Sequence, residues 1–400
     1  MEIEEAIGLV VSNISPIGEE LTVKLEDAYG HILAKSITAS DNVPSFARSA
    51  MDGYAVKSED VSIASKDSPV RLRVVAQVLA GDSSDISYED KTAVRIMTGG
   101  MIPDGYDAVV KQEDTDLGER EVCVCSPVGK YMNYCHPGEE IQKGAVVIEK
   151  GRRIGMIETG LIASLGIDSV RVKRPLRVSI VSTGSELTAL GYDLPKGCIY
   201  GNIRYMIAAA VKSTGFEVTY SADCKDDKEM ICDQIIKARE VSDVVITTGG
   251  VSVGKRDLVA AALSDIGAKI LFTRVNIQPG TPTIASISEG KMILSLSGNP
   301  YAAIANYDLY FPPISATLMG CPELDTKTGE AILSDPYDKV NSMRRLVRAY
   351  EEGGRVYLPA DKHMSSVFGN LERCNCYIDI PAKAKVSVGD IVRIRRMRYR

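Results

Sequence analysis

The chain has 400 residues, of which 45% are hydrophobic and 25% are charged, as in ordinary globular proteins. A prior of ~150 residues per domain predicts about two to four domains for this length. The formal net charge of −6 argues against nucleic-acid binding through bulk electrostatics, because phosphate neutralisation needs an excess of Lys and Arg. The basic end of the chain, residues 393–400, is interpreted as a solvated strand end.

The first ten residues, MEIEEAIGLV, lack the positive region that precedes the apolar part of a signal peptide. No apolar run reaches the ~18 residues that a membrane-spanning helix needs. Nine cysteines, odd in number and often beside apolar residues, are typical of buried thiols in a reducing compartment. We therefore expect a cytoplasmic protein that binds neither a membrane nor nucleic acid.

The N-terminal part mixes helical and β patterns. A helix is expected over residues 3–11, followed by a second amphipathic segment near 21–23. Period-two alternation over 70–124, interrupted by glycines, predicts a small antiparallel unit inserted into this region. A helix over 155–165 and a strand over 169–172 are predicted to close it.

Strands and helices then alternate, which predicts a doubly wound α/β domain. The expected strands are 178–182, 217–221, 244–247, 270–275 and 291–296, and the expected helices are 204–213, 228–240 and 257–265. After residue 320 the pattern is period-two again and predicts a small β domain. The expected domains are 1–40 with 134–174 (helical and mixed), 41–133 (inserted, β-rich), 175–320 (α/β) and 321–400 (β).

Three polar loops follow predicted strands of the α/β domain, where ligands bind in such sheets. They are STGSE at 182–186, TTGGVSVG at 247–254 and SGNP at 297–300. The glycines free the backbone to approach a ligand, and the next helix begins with unpaired amide donors, so these loops predict an anion site. A tight turn without a ligand is the alternative, and Asn299 with Pro300 also suits a helix N-terminus.

With these loops, the sequence resembles the MoeA family, the molybdopterin molybdenumtransferases that include the E domain of gephyrin. The matching blocks are 44–56 (PSFARSAMDGYAV), 93–113 (AVRIMTGGMIPDGYDAVVKQE), 138–144 (GEEIQKG), 178–187 (VSIVSTGSEL), 243–257 (DVVITTGGVSVGKRD) and 276–300. The resemblance implies a central α/β domain of the MogA/MoaB type and a small C-terminal β-barrel-like domain. It also implies a homodimer whose site lies between the α/β domain of one subunit and the SAMDGYA region of the other.

The function implied by the resemblance is a step of molybdenum cofactor biosynthesis. The enzyme inserts molybdate or tungstate into adenylylated molybdopterin, with Mg²⁺-dependent release of AMP. The adenylyltransferase that supplies this substrate is then a candidate partner. A non-catalytic molybdopterin-binding or scaffold paralogue of the gephyrin E-domain kind is the alternative, and the adenylyltransferase step itself is a second enzyme alternative.

The resemblance also assigns residues, and their chemistry is reasonable because Mg²⁺ takes oxygen ligands and offsets phosphate charge. The implied metal ligands are Asp52, Glu140, Glu186, Asp226 and Asp257, with Asp227 as an alternative to Asp226. The implied catalytic residues are Asp52, Thr98, Glu186 and Asp257. The implied cofactor-binding residues are Ser182, Thr183, Gly184, Thr248, Gly249, Gly250, Ser252, Gly254, Pro279, Gly280, Pro282, Gly298, Asn299 and Pro300. Without the resemblance, Asp52 is also a common turn residue, and Glu186 and Asp257 suit helix starts.

One departure from the family pattern favours the non-catalytic alternative. The usual IKPGKP block has lysines where this chain has Gln278 and Thr281. Arg274, Lys255 or Arg256 are the cations near matched loops that would compensate. No Ser/His/Asp or Cys/His arrangement is visible in the sequence, so we expect no covalent enzyme intermediate.

Overall fold

The predicted loops lie at one end of a six-stranded central sheet. The computed structural model describes residues 1–83, 85–251, 258–359 and 367–398. Its helices are α1 (Ile3–Ser12), α2 (Met156–Ser164), α3 (Ile203–Ser213), α4 (Lys228–Glu240), α5 (Leu258–Asp265) and α6 (Pro300–Met319). The strands of the first 174 residues are β1 (Glu20–Lys24), β2 (Ile37–Thr38), β3 (Arg48–Ser49), β4 (Gly53–Val56), β5 (Val70–Val78), β6 (Thr92–Ile96), β7 (Ala108–Lys111), β8 (Glu121–Val124), β9 (Tyr134–Cys135), β10 (Val146–Ile148) and β11 (Ser169–Lys173).

The later strands belong to the central sheet, to a short pair beside it and to the C-terminal region. They are β12 (Arg177–Thr183), β13 (Leu187–Thr188), β14 (Ile199–Tyr200), β15 (Glu217–Cys224), β16 (Val244–Thr248), β17 (Lys269–Arg274), β18 (Ile277–Gln278), β19 (Pro282–Ser288), β20 (Lys291–Leu296), β21 (Thr328–Leu333), β22 (Arg344–Glu352), β23 (Arg355–Tyr357), β24 (Cys376–Ile380) and β25 (Ile391–Arg396).

The central sheet has the strand order β15-β12-β16-β20-β19-β17. Its first four strands are parallel, as expected for the predicted α/β domain, and α4 and β20 have the predicted bounds. The sheet is mixed, however, because β19 runs antiparallel to both β17 and β20. Strand β19 was not predicted, because the strand begins at Pro282, inside the block that was assigned to ligand binding.

A five-stranded sheet of the order β7-β4-β6-β5-β8 contains the SAMDGYA block on β4. The prediction of a purely antiparallel unit is wrong, since β5 and β6 are parallel. Residues 79–91 bring the chain back to the same end of the sheet, and alternation along a strand does not encode strand direction. The segment near 21–23 is the strand β1, which pairs with β11.

The C-terminal strands form a closed five-stranded barrel. The order β22-β23-β21-β25-β24 is completed by pairing between β22 and β24, and β18 from the central region adds to β22. The predicted fold class, an α/β domain with β-rich additions and a barrel-like C-terminal domain, is confirmed. The boundaries proposed between domains stay a prediction.

Helix α6 lies in the largest apolar core and contributes many of its residues, and it is buried along almost all of its length. Helix α1 packs on it through Ile3, Ala6 and Val10, which are at most 1% exposed. The first helix therefore belongs to the core of the α/β region rather than to the sheets that follow it in sequence.

The basic end of the chain is less exposed than expected. Arg395 on β25 is only 6% exposed, and its guanidinium contacts Asp379 at 2.8 Å and Glu4 of α1 at 3.3 Å. Arg344 joins the same two carboxylates at 2.6 and 2.7 Å. The prediction of a solvated end is therefore wrong for Arg395, whose buried charge needs these carboxylates, whereas Arg393 and Arg396 are exposed as expected.

All nine cysteines are free thiols. Four are buried and five are half-buried, so the prediction of buried thiols is wrong for the latter, which include Cys123 and Cys125. Among the described residues, every helix falls short of the length or the apolar character that crossing a bilayer would demand.

Candidate functional site

A cleft of about 850 Å³ opens at the carboxyl ends of β12, β16 and β20, where the three predicted loops begin. This volume is typical of a pocket for a small-molecule ligand. The cleft brings together most of the predicted loop residues with an apolar wall. Its lining residues are Ser182, Thr183, Gly184, Glu186, Leu187, Ile199, Tyr200, Gly201, Asn202, Ile203, Asp226, Thr248, Gly249, Gly250, Val251, Leu258, Gly298, Pro300 and Phe368.

The glycine pair after β16 is required by the backbone. Gly249 and Gly250 have φ of +85° and +65°, in the left-handed region. A Cβ on Gly249 would lie 2.2 Å from the carbonyl oxygen of Thr183, and one on Gly250 would lie 2.7 Å from Val259. The close approach of this turn to the end of β12 therefore shapes the floor of the cleft.

Hydroxyl groups line the same floor. The Oγ atoms of Ser182 and Thr248, on neighbouring strands, are 2.8 Å apart and share a hydrogen bond. The Oγ1 of Thr183 is buried and has no hydrogen-bond partner among the described residues. Buried hydroxyls rarely remain unpaired, so a group that enters the cleft is a natural partner for Thr183.

Two carboxylates lie on the cleft wall beside the STGSE loop. The carboxylate of Glu186 is folded over Gly184, where a Cβ would be 2.8 Å from it. Asp226 accepts a hydrogen bond from the amide of Ser185 at 3.3 Å, and its own amide donates to the Ser185 hydroxyl at 3.2 Å. Asp227 instead caps α4 by accepting from the amide of Met230, which leaves Asp226 as the cleft residue of the two.

The start of α3 also faces the cleft, through Asn202 and Ile203. In the described part of the chain no side chain caps this helix, so its first amide donors remain available to an anion. Sequence reasoning missed the apolar wall formed by Leu187, Ile199 and Phe368. Phe368 comes from the C-terminal region, and no motif in its neighbourhood indicated a role.

Asp52 and Thr98 lie together, although not in this cleft. The Oδ1 of Asp52 accepts hydrogen bonds from the amide and the hydroxyl of Thr98 at 2.7 and 2.8 Å. These bonds lower the pKa of Asp52, which is half-buried and stays ionised at neutral pH. Glu140 is exposed, in the loop between β9 and β10, and does not line the cleft.

Four further predicted residues do not line the cleft. Pro279 and Gly280 are buried, and Gly280 packs so closely on Asn306 of α6 that a Cβ would approach its side chain to 2.3 Å. Pro282 begins β19. Asn299 caps α6 by accepting from the amide of Ala302 at 3.0 Å, as the capping alternative expected, while Gly298 and Pro300 line the cleft.

Ser252, Gly254 and Asp257, together with Lys255 and Arg256, lie outside the described residues. Within the described ranges, no group of three or more His, Cys, Asp or Glu side chains gathers as a metal site. Among the described residues, Glu186 and Asp226 are the predicted metal ligands that line the cleft.

A mostly parallel α/β sheet with a polar cleft at its strand ends, joined to β-rich regions on both sides, is the architecture of a multidomain α/β protein whose cleft suits an anionic ligand. Three family models match this chain in order: the MoeA N-terminal region (domains I and II) at residues 1–166, a probable molybdopterin binding domain at 179–316, and the MoeA C-terminal region (domain IV) at 330–395. The chain belongs to the MoeA family.

Individual relatives agree with this assignment. A molybdopterin molybdenumtransferase of Staphylococcus epidermidis is 33% identical over 396 residues, which cover 98% of this chain and 94% of that protein. One of Staphylococcus aureus is 33% identical over 386 residues, covering 96% and 92%. The crystal structure of the molybdopterin biosynthesis MoeA protein of Pyrococcus horikoshii has a TM-score of 0.87 and 27% identity, covering 99% and 100%. The predictions of the family and of a transferase are confirmed.

Proposed function

We propose that this chain inserts molybdate or tungstate into adenylylated molybdopterin, with release of AMP, as a cytoplasmic enzyme of molybdenum cofactor biosynthesis. The observation that carries the proposal is the cleft, where two carboxylates, a glycine-rich turn and an uncapped helix N-terminus converge. Its volume and mixed lining suit a ligand that has both phosphate groups and an aromatic ring system.

Different groups in the cleft suit different parts of the substrate. The amides at the start of α3 and the hydroxyls of Ser182 and Thr248 are donors for phosphate oxygens. The apolar wall of Leu187, Ile199 and Phe368 offers a surface for a planar ring. Cleavage of the phosphoanhydride then needs water or the oxyanion to attack, since the sequence offers no nucleophilic triad.

Mg²⁺ fits the donor set of the cleft. In proteins this ion is commonly held by one or two carboxylates together with substrate phosphates, and Glu186 with Asp226 supplies that number on one wall. When bound, the ion would neutralise charge that develops on the phosphate groups. Without it, two carboxylates facing an anionic substrate are unfavourable, so we expect binding of the adenylylated substrate to depend on Mg²⁺.

The placement of Asp52 supports a homodimer. The half-buried Asp52 and the exposed Thr98 form a hydrogen-bonded pair at the five-stranded sheet, and neither lines the cleft of its own chain. A second copy that places this pair at the cleft would complete the set of catalytic residues. Light scattering at micromolar concentration tests this part, and a monomeric, fully active protein would contradict it.

A non-catalytic molybdopterin-binding paralogue is favoured by one observation. The Thr281 hydroxyl, at a position where the family pattern has lysine, donates to the carbonyl oxygen of Ile277 at 2.6 Å within its own turn. It therefore provides neither a charge nor a free donor to an oxyanion. A scaffold protein would bind the pterin substrate without turning it over.

The deciding assay mixes the purified protein with adenylylated molybdopterin, Mg²⁺ and either molybdate or tungstate, and follows AMP release. We expect release that requires both Mg²⁺ and an oxyanion, and that falls in Glu186→Ala and Asp226→Ala. Asp227→Asn is the matched control, because Asp227 caps α4 outside the cleft. Substrate binding without AMP release would establish the scaffold alternative instead.

A further inference from the structure

A second, smaller cavity of about 240 Å³ lies where the N-terminal region meets the C-terminal end of α3. The turn at Gly30 forms one side of it, and the end of α3 with the following turn to β15 forms another. Pockets for drug-sized ligands hold ~300–1,000 Å³, so this cavity suits a small ion with a few waters.

Three residues with cationic side chains line the cavity: Arg153, Lys173 and Lys212. None of its described lining residues is an Asp or a Glu. A cavity lined by three cations and no carboxylate contrasts with the whole chain, which has 53 acidic and 47 basic residues. Within the described part of the chain, none of the three cations forms an ion pair with a carboxylate.

The neighbouring arginines behave differently. Arg152 pairs with Glu323 at 2.8 Å, Arg171 pairs with Glu20 at 2.8 Å, and Arg174 pairs with Asp243 at 2.9 Å. Local carboxylates are thus available and are used by the residues on either side. The described cations that line the cavity, by contrast, have no carboxylate partner.

Two of these cations, Arg153 and Lys173, are held in place by backbone oxygens. The Nε of Arg153 donates to the carbonyl oxygen of Gly30 at 3.1 Å, and one terminal nitrogen donates to that of Thr214 at 3.5 Å. The Nζ of Lys173 donates to the carbonyl oxygen of Ile17 at 2.9 Å. Carbonyl oxygens fix the positions of these groups and leave their full charges uncompensated, while further N–H donors remain for a ligand.

We propose that this cavity binds a small tetrahedral dianion of the phosphate class, held by Arg153, Lys173 and Lys212. A guanidinium and two ammonium groups match the charge and the several oxygens of such an ion. The site is separate from the cleft, since α3 begins at the cleft with Ile203 and ends at this cavity with Lys212. The proposal does not depend on the reaction proposed above.

The test is isothermal titration of the full-length protein with inorganic phosphate at low ionic strength. Sulfate and glycerol phosphate are titrated in parallel, to separate a free ion from a phosphate monoester. We expect one site, weakened by added NaCl because the contacts are ionic. Lys212→Ala should lower the affinity at least about fivefold, because it removes one cation at contact distance.

Lys237→Ala is the matched control, since Lys237 stands in the last turn of α4 as Lys212 does in that of α3. It should leave the affinity unchanged. Arg153→Gln also removes contacts to Gly30 and Thr214, so the more exposed Lys212 is the decisive position. Absence of phosphate binding, or binding that Lys212→Ala leaves intact, would overturn the proposal.

Discussion

Replacing Gly249 by alanine should damage both the fold and the cleft. The residue has φ of +85°, and its Cβ would lie 2.2 Å from the carbonyl oxygen and 3.0 Å from the Oγ1 of Thr183. Gly267, in the turn after α5, is the matched control: its φ is +69°, and among the described residues nothing lies within 4 Å of the position that a Cβ would take there.

Two terms are common to both substitutions. A left-handed conformation costs an alanine roughly 1–2 kcal/mol, and the reduced freedom of the unfolded chain returns about 0.4–1 kcal/mol. Gly267→Ala should therefore lower the free energy of unfolding by only about 1 kcal/mol. Gly249→Ala adds an overlap with backbone, which no side-chain rotation relieves, and overpacking of this kind costs about 1–3 kcal/mol more.

Urea denaturation of the two variants and the unmodified protein gives the difference directly. We expect Gly249→Ala to be less stable than Gly267→Ala by about 1–3 kcal/mol, and to lose AMP release because Thr183 is displaced from the cleft floor. Equal stability of the two variants, with AMP release retained in Gly249→Ala, would refute the role given to the glycine turn.

Three further substitutions test other parts of the molecule. Thr98→Val removes the hydroxyl that donates to Asp52, so we expect the pKa of Asp52 to rise and AMP release to fall, with unchanged stability. Thr98→Ser keeps a hydroxyl and should restore both the low pKa and AMP release. NMR titration of Asp52 and the AMP assay check these two effects. Asp379→Asn removes the buried carboxylate shared by Arg344 and Arg395 and leaves Glu4 as their remaining partner. It should lower the free energy of unfolding measured in urea by up to about 3 kcal/mol, the lower end of the cost of breaking a buried ion pair. Burial alone would raise the pKa of Asp379, but hydrogen bonds and charge from the two arginines lower it below its ordinary value of 3.8. Its contribution is therefore complete above that value and is lost as the pH falls through the folded-state pKa, which urea midpoints against pH would show. The double substitution Gln278→Lys, Thr281→Lys should lower the oxyanion concentration for half-maximal AMP release, whereas an unchanged or higher value would mean that other residues bind the oxyanion.

The sequence was most informative where local pattern and tertiary role agree. The buried β-branched run at Val244 to Thr248 and the apolar periodicity of α4 follow from short-range preferences, and both elements formed as predicted. Strand direction and closure do not follow from such patterns, since they depend on which segments meet. The parallel β5–β6 pair and the barrel contact between β22 and β24 are of this kind.

The candidate site shows the same division. The glycine turn and the STGSE loop could be predicted because their chemistry is local to a few residues. Phe368 and the pairing of Thr98 with Asp52 could not be derived from local pattern, because each depends on a contact between distant parts of the chain. Pro279 and Gly280 were assigned to ligand binding by resemblance, whereas both are buried and Gly280 packs on Asn306 of α6, a packing role that no short motif expresses.

The packing of α1 on α6 has a consequence for synthesis of the protein on the ribosome. Ile3, Ala6 and Val10 are synthesised about 300 residues before the helix that covers them. At ~5–20 residues per second, this apolar stripe waits roughly 15–60 s for its partner. Until α6 has been made, the nascent chain exposes the apolar face of α1, and exposed apolar surface of this kind makes incomplete chains prone to aggregation.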